Sequence, residues 1–297
     1  VSSWLGRIEG GLEFERDTEL FGLSFTQTLE PRVQYLYAGY DDHAGIPDFD
    51  SAELTFSYRQ LFRNTRFSGY DRLADANQLS LGVTSRLIDT ATGKERVSAS
   101  FGQVINFTDQ RVRLKESDAA LTDEGSALAF ALNLRTSERW SIHSNLLFDS
   151  YEDKLDAANV RVGFRPNEDA ILNVGYTLRE PPASFAARPV NEQVNTSAYI
   201  PINDNWSAFG ALRYSLEIDS SVEDMIGVEY DGCCWRVRLI YMSYLDTLRD
   251  VDVFLPEPEL TRDRAFQFQF VLKGLGGFGN RVDNLMQDMI RGFNAKR

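Results

Sequence analysis

Apolar residues fall on every second position through almost the whole chain, and this period of two constrains the fold more than any other feature. Phe21, Leu23, Phe25, Leu29, Val33, Tyr35 and Tyr37 share one parity, as do Leu79, Leu81, Val83 and Leu87, and Val97, Ala99 and Phe101. The pattern continues through Leu128, Phe130, Leu132 and Leu134; Trp140, Ile142, Leu146 and Phe148; Ala158, Val160, Val162 and Phe164; and Leu172, Val174, Tyr176 and Leu178. It resumes in Val194, Ala198, Ile200 and Ile202, in Trp206, Ala208, Leu212, Tyr214 and Leu216, and in Ile226, Val228 and Tyr230. Trp235, Val237, Leu239 and Tyr241 follow, and the last run is Phe266, Phe268, Phe270 and Leu272, with Gln267 and Gln269 between. Successive side chains of a strand point to opposite faces, so each run is a strand with one greasy face. Leu12 and Phe14 mark one more, from about Leu5 to Arg16, and Leu54, Phe56, Tyr58 and Phe62 another; the total is about fourteen.

A water-soluble sandwich also alternates, so strand pattern alone leaves two all-β classes open. No run of apolar residues is long enough for a membrane helix, but a membrane strand needs only about 9–11 residues with every second one apolar. Connector lengths favour the membrane. Tight turns at Ser137–Arg139, Pro166–Glu168, Asn203–Asn205 and Asp231–Cys233 alternate with connections that include the long Asp109–Glu124, Pro181–Asn191 and Asp246–Asp263. Short on one side and long on the other is the habit of outer-membrane barrels. Trp140, Trp206 and Trp235 each open a strand after a short turn and Trp4 opens the first; strand parity puts all four on the short-turn side, as an interfacial aromatic girdle. The expected fold is therefore an all-β, transmembrane antiparallel barrel wall over residues 1–279 and a tail over 280–297. In the tail, Val282, Leu285, Met286, Met289, Ile290 and Phe293 recur at helical spacing, which predicts a short amphipathic helix resting on the barrel mouth or on a membrane surface.

The only two cysteines are adjacent, in Asp231-Gly232-Cys233-Cys234-Trp235, where Asp-Gly supplies the backbone angles of a tight hairpin. Adjacent Cα atoms lie about 3.8 Å apart, closer than the roughly 4.4–6.8 Å of a relaxed disulfide, so these two are poorly placed to bond each other. Either the thiols are free or their partners lie on other polypeptide. The N-terminal Val1-Ser2-Ser3-Trp4 lacks a basic region followed by an apolar core, so the chain is expected to begin inside a mature protein.

Net charge of -13 argues against nucleic acid as a partner. Catalytic chemistry is not encoded in any coherent set of residues. Gly274-Leu275-Gly276-Gly277-Phe278-Gly279 fits the dinucleotide glycine fingerprint, but the strand before it carries glutamines and the chain lacks the second strand and acidic residue that such a fold needs. His143 and Ser144 are neighbours on one strand and point to opposite faces, so they cannot act together as a hydrolase pair. Two histidines and one cysteine pair support no transition-metal site, no cofactor is implied, and Asp41, Asp42, Asp48 and Asp50 read as a solvated loop before a calcium site.

At Thr28-Leu29-Glu30-Pro31-Arg32-Val33-Gln34-Tyr35-Leu36-Tyr37 the sequence resembles the lipopolysaccharide-assembly proteins of the Gram-negative outer membrane. Leu61-Phe62-Arg63-Asn64, leading through Arg66-Phe67-Ser68-Gly69-Tyr70-Asp71-Arg72 to Ala76-Asn77-Gln78, is similar to that family's most distinctive segment; Cys233-Cys234-Trp235 and Leu272-Lys273-Gly274-Leu275-Gly276 agree as well. The resemblance runs from about Leu12 to Gly279. It implies the later half of a 26-stranded barrel, with a periplasmic domain and the first strands outside this chain. It also implies a lipoprotein plug in the lumen, a periplasmic transport bridge reached through the missing N-terminal domain, and lipopolysaccharide passing through a lateral seam between first and last strands. Transport rather than catalysis is then the activity, and a general diffusion porin is the rival. By the same resemblance Cys233 and Cys234 bond two cysteines outside this chain, and Phe266, Gln267, Phe268, Gln269, Phe270 and Leu272 form the strand at the seam.

Overall fold

The computed structural model describes residues 3–43, 45–54, 56–114, 128–150, 153–180, 190–245, 261–279 and 281–294. The chain enters as β1 Leu5–Gly11, β2 Phe14–Leu20 and β3 Leu23–Ala38, and then, after the two-residue strands β4 Ala52–Glu53 and β5 Phe67–Ser68, as β6 Ala76–Asp89, β7 Glu95–Asn106, β8 Leu128–Leu134 and β9 Trp140–Asp149. The second stretch holds β10 Lys154–Phe164, β11 Ile171–Arg179, β12 Asn191–Pro201, β13 Trp206–Ser215, β14 Ser220–Asp231, β15 Trp235–Leu245, β16 Arg262–Leu272, β17 Gly276–Phe278 and one helix, α1 Arg281–Met289. Fifteen of the strands are hydrogen-bonded as one sheet in chain order from β1 to β17, with β2 joined to β3; β4 and β5 pair separately. Two compact units divide the chain: residues 1–137, 142–160 and 178–190 make one, and residues 138–141, 161–177 and 191–297 the other.

The faces of these strands are reversed with respect to a protein that lives in water. Apolar side chains are the exposed ones: Phe266 is 85% accessible and Ile226 65%, with Leu29, Leu81, Phe101, Leu212 and Leu239 also open. Their polar neighbours on the same strands are buried, among them Gln34, Thr28, Ser80, Thr84, Ser207, Glu229, Arg238 and Gln269. A soluble sandwich hides its apolar face, so the alternation belongs to a wall whose outer solvent is hydrocarbon. The structure thus decides between the two all-β classes.

The first unit shows how single residues shape that wall. The strand predicted from Leu5 to Arg16 is two strands on one register of β3, Leu5 facing Ala38 in β1 and Leu20 facing Leu23 in β2. The break falls opposite Pro31, where Leu12 N–H donates to the Pro31 carbonyl at 3.1 Å and proline has no N–H to return the bond. Phe21, expected within the next strand, instead forms a two-residue turn with Gly22, at φ 53° and 74°, the left-handed angles that a tight hairpin requires.

Leu54–Phe62, predicted as a strand, is corrected: its described residues are loop and a single 3-10 turn, Tyr58–Gln60. Its apolar residues turn onto the polar face, where Leu61 and Phe62 join Val104 and Ala129 in a small core. Gly82 and Gly102, paired across β6 and β7, make the room, since a Cβ on Gly82 would meet Phe62 at 2.8 Å and one on Gly102 would meet Leu61 at 2.6 Å. Ser80 donates to the Leu61 carbonyl at 2.6 Å, and Arg32 lies 4.2 Å over the Phe62 ring. Farther along the loop, Arg72 donates to the carbonyls of Ile46, Arg113 and Leu114, and Asp75 accepts the N–H groups of Arg111 and Val112. Burial lowers the pKa of Arg66, and nearby Asp75 and Glu53 oppose that shift.

In the second unit the short turns predicted after β12 and β14 lie at one end of their strands, and in the first unit β8 ends at the end shared by the Phe21–Gly22 turn. Connections Asp109–Glu124, Pro181–Asn191 and Asp246–Asp263 fall wholly or partly outside the described residues. In the second unit, α1 buries Val282 and Met286, followed by Ile290 and Phe293, against Ile171, Phe209, Met225, Ile240 and Met242. The helix therefore lies along the polar face of the strands, not on a membrane surface.

Candidate functional site

β16 is an edge for most of its length. One side pairs with β15 at every residue from Leu245–Arg262 to Trp235–Leu272. On the other, β17 covers only Phe270, Val271 and Leu272, through Phe278, Gly277 and Gly276. From Arg262 to Gln269 that side has no strand among the described residues. In an antiparallel strand alternate residues aim their backbone groups sideways, so about three residues between Arg262 and Gln267 present both an N–H and a C=O to that side, while Gly279 lies against Phe268 and Gln269. The outward side chains of the same stretch, Phe266 and Phe268, are bare.

Behind that edge lies a buried polar chain that runs across the wall. The Tyr199 hydroxyl on β12 donates to Glu229 on β14 at 2.8 Å; Glu229 is ion-paired with Arg238 on β15. Arg238 is 1% exposed and donates also to the Gln269 side-chain oxygen on β16 at 2.7 Å and to Asp283 on α1. Gln269 closes the ring by donating its amide to Asp283 at 2.7 Å. The Phe293 ring caps the guanidinium at 5.3 Å. A cation this deep is stable only because two carboxylates and an amide oxygen replace its water.

Cys233 and Cys234 are exposed at the turn between β14 and β15, and their sulfurs stand 2.9 Å apart. That contact raises the Cys234 pKa, and the ammonium of Lys273 opposes the shift. Lys273 also holds the turn: its Nζ donates to the Gly232 carbonyl at 2.6 Å and pairs with Asp231 at 2.6 Å, while its N–H donates to the Cys234 carbonyl at 2.9 Å. The turn with the thiols is thereby tied to the end of β16.

Residues 4–206, more than half of the chain, match the family described as LPS transport system D. The chain belongs to that family. Among its relatives, the LPS-assembly protein LptD of Nitrosococcus oceani is 37% identical over 286 residues, covering 96% of this chain and 36% of the relative. LPS-assembly proteins LptD from Pseudomonas aeruginosa and Xanthomonas oryzae pv. oryzae are each 36% identical, over 98% and 97% of this chain and 34% and 35% of their own lengths. The chain thus spans about a third of the curated relatives it matches.

For a member of the LPS transport system D family, the residues singled out in the sequence divide into three groups. Phe266 and Gln267 lie on the open part of the β16 edge, Phe268 and Gln269 lie beside Gly279, and Phe270 and Leu272 face β17, a strand that its glycines concealed. Trp206, Tyr230, Trp235 and Phe270 form one aromatic row at the short-turn end, with centroids 5.1, 4.7 and 6.4 Å apart, and Trp140 stacks on Phe164 at 4.3 Å at the same end of its strand. Trp4 is the exception and corrects the expected girdle of four: Leu5 pairs with Ala38, at the opposite end, and Trp4 stacks on Tyr37 at 4.7 Å.

His143 faces Asn133 at 2.8 Å on the polar side, with Ser144 on the other parity. Carboxylates of the Asp41–Asp50 loop accept backbone N–H groups: Asp48 takes that of Ser51, and Asp41 that of Asp42. Among the described residues no three metal-ligating side chains converge. Sequence reasoning missed Arg238, Glu229 and Asp283, although a paired Arg and Glu on facing strands of a wall is a visible sign of a buried ion pair.

Proposed function

We propose that the full-length protein spans the Gram-negative outer membrane and delivers lipopolysaccharide to its outer leaflet through a lateral seam, one lip of which is β16. The observation that carries this reading is the edge of β16 from Arg262 to Gln267, which has no strand beside it among the described residues, in a wall whose outward face is apolar. A lipid-linked polysaccharide has acyl chains that belong in hydrocarbon and sugars that do not, so it must leave sideways through a parting wall. Parting exposes backbone amides to hydrocarbon at several kcal/mol each, which favours a seam that is short. β17 shortens it by occupying the last three positions of the edge.

In this reading residues 1–279 supply the later half of a 26-stranded barrel and residues 280–297 its tail. A lipoprotein plug fills the lumen beside the polar face, and the missing N-terminal domain meets the periplasmic bridge. Trp140, Trp206 and Trp235 sit at the periplasmic membrane interface. Cys233 and Cys234 bond cysteines in that missing part, so both thiols resist alkylation in the full-length protein until it is reduced. No catalytic residue, cofactor or metal enters the route. A general diffusion porin would use the same kind of wall, but the relatives' name, LPS-assembly protein, favours lipopolysaccharide as the cargo.

The test is a disulfide between Gln267→Cys and the facing first strand of the full-length protein. It should stop delivery while leaving the barrel folded, and the same tether between Ala208→Cys and Val228→Cys, which face each other inside the wall, should be harmless. Normal surface delivery through a fully crosslinked seam removes lateral exit.

A further inference from the structure

We infer that α1 is a fixed brace for β16, so that the seam opens by displacement of the opposite strand while β16 stays in place; this rests on the seam reading above. An edge strand is ordinarily the most mobile member of a sheet, since only one neighbour holds it. β16 has a second hold. Gln269, fully buried, gives its amide to Asp283 of α1 at 2.7 Å and receives Arg238 of β15 at 2.7 Å on its oxygen. The strand is thus gripped by its neighbour and by the helix at one side chain.

The helix in turn is well anchored. Val282, Met286, Ile290 and Phe293 are buried in a core formed with β11, β13, β14 and β15, and Ala265 of β16 packs against the same core. Beyond the helix, Asn173 of β11 donates to the Arg291 carbonyl at 3.1 Å, and Arg165 donates to the Gly292 carbonyl at 3.0 Å. Gly279 completes the hold, because the chain leading into α1 passes so close to β16 that a Cβ there would meet the Phe268 carbonyl at 2.6 Å. At the other end of β16, Arg262 donates to Ser221 and Asp224 of β14 and Ser243 of β15. Both ends of the strand are therefore fastened, Gln269 from the polar face and Arg262 from the face it shares with Phe266 and Phe268, which leaves the open edge free to pair with a strand that comes and goes.

Amide hydrogen exchange of the full-length protein in detergent tests the brace. Backbone amides of residues 262–272 should exchange slowly in the native protein, more slowly than those of the facing first strand. In Asp283→Ala they should speed up by about tenfold or more, the factor expected for loss of one hydrogen bond to a charged group, while amides of β12 and β13 stay unchanged. Equal protection of 262–272 in native and Asp283→Ala protein, or faster exchange there than in the first strand, overturns the brace. Should Asp283→Ala fail to fold, bridging Met225→Cys to Met286→Cys with a thiol-reactive crosslinker locks α1 onto the wall. Lipopolysaccharide delivery should then continue, and a block would mean that α1 has to let go. The seam itself is judged separately: if the Gln267→Cys tether leaves delivery intact, lateral exit fails whatever the exchange shows, and if the tether blocks delivery while exchange is unmoved, only the brace fails.

Discussion

Replacing Arg238 by methionine isolates the energetics of the buried chain behind β16. Methionine keeps the apolar stem and removes the charge, while Glu229 keeps the Tyr199 hydroxyl at 2.8 Å and Asp283 the Gln269 amide at 2.7 Å. Glu229 is 4% exposed, so it cannot recover its lost partner from water, whereas the Asp283 side chain, 28% exposed, can in part. Removing one member of a buried pair costs about 3–5 kcal/mol, most of it the penalty for the carboxylate left behind, and we assign most of that to Glu229. At about 1.4 kcal/mol per factor of ten, the loss is about a hundredfold or more in the folding equilibrium. Glu229→Gln in the same background removes the orphaned charge and should restore all but about 1–2 kcal/mol. The assay is urea unfolding of the full-length barrel in detergent, followed by loss of the fast-migrating form on an unboiled gel. Strictly additive losses in the single and double variants would refute the coupling, and an Arg238→Met protein as stable as the native one would refute the burial argument itself.

Two further outcomes follow from the first unit. Asp71 accepts the N–H of Phe49 at 2.8 Å and of Asp50 at 2.9 Å, and these bonds, that to Phe49 foremost, hold its pKa below the usual aspartate value. A depressed carboxylate stabilises the fold above its unfolded value, about 3.9, and that contribution is lost as pH falls through the lower folded value, so limited proteolysis of residues 39–75 should rise only in that acid window and Asp71→Asn should abolish the dependence. Gly102→Val places a Cβ 2.5 Å from the Leu81 carbonyl and 2.6 Å from Leu61, and should release the loop to protease at neutral pH, whereas the same change at the equally strand-borne Gly10, whose nearest neighbour is a Val33 methyl at 3.9 Å, should not.

The strands were legible because one physical rule, side chains alternating across a pleated backbone, acts at every position and needs no knowledge of what lies opposite. Where a second influence entered, the rule alone misled. Leu54, Phe56 and Tyr58 alternate as a strand would, yet Phe56 and Tyr58 pack against a core on the polar face. The sign was on the other partner: Gly82 and Gly102 face each other in mid-strand, and two facing glycines leave a hole that something must fill. Trp4 was misplaced for the same reason: parity counts strands, and the count included Leu54–Phe62, so the strands after it were assigned to the wrong end relative to β1.

The place of α1 was legible in principle from residues that break the alternation. Phe209, Met225, Ile240 and Met242 occupy the parity that elsewhere carries serine, glutamate and arginine, and they lie on three consecutive strands. An apolar patch on a wet face costs about 25 cal/mol for each Å² left uncovered, so such a patch demands a cover. Among the described residues the chain contains one helix, and its Val282, Met286, Ile290 and Phe293 stripe is the matching surface. What neither pattern contains is register. Asp283 meets Arg238 and Gln269 only because the stripe seats at one height along the strands, and that height follows from the length of the β16–β17 turn and the tight passage of Gly279 beside Phe268. The turn that shortens the free edge is therefore also the one that aims the helix, and lengthening it by a single residue should uncouple the two.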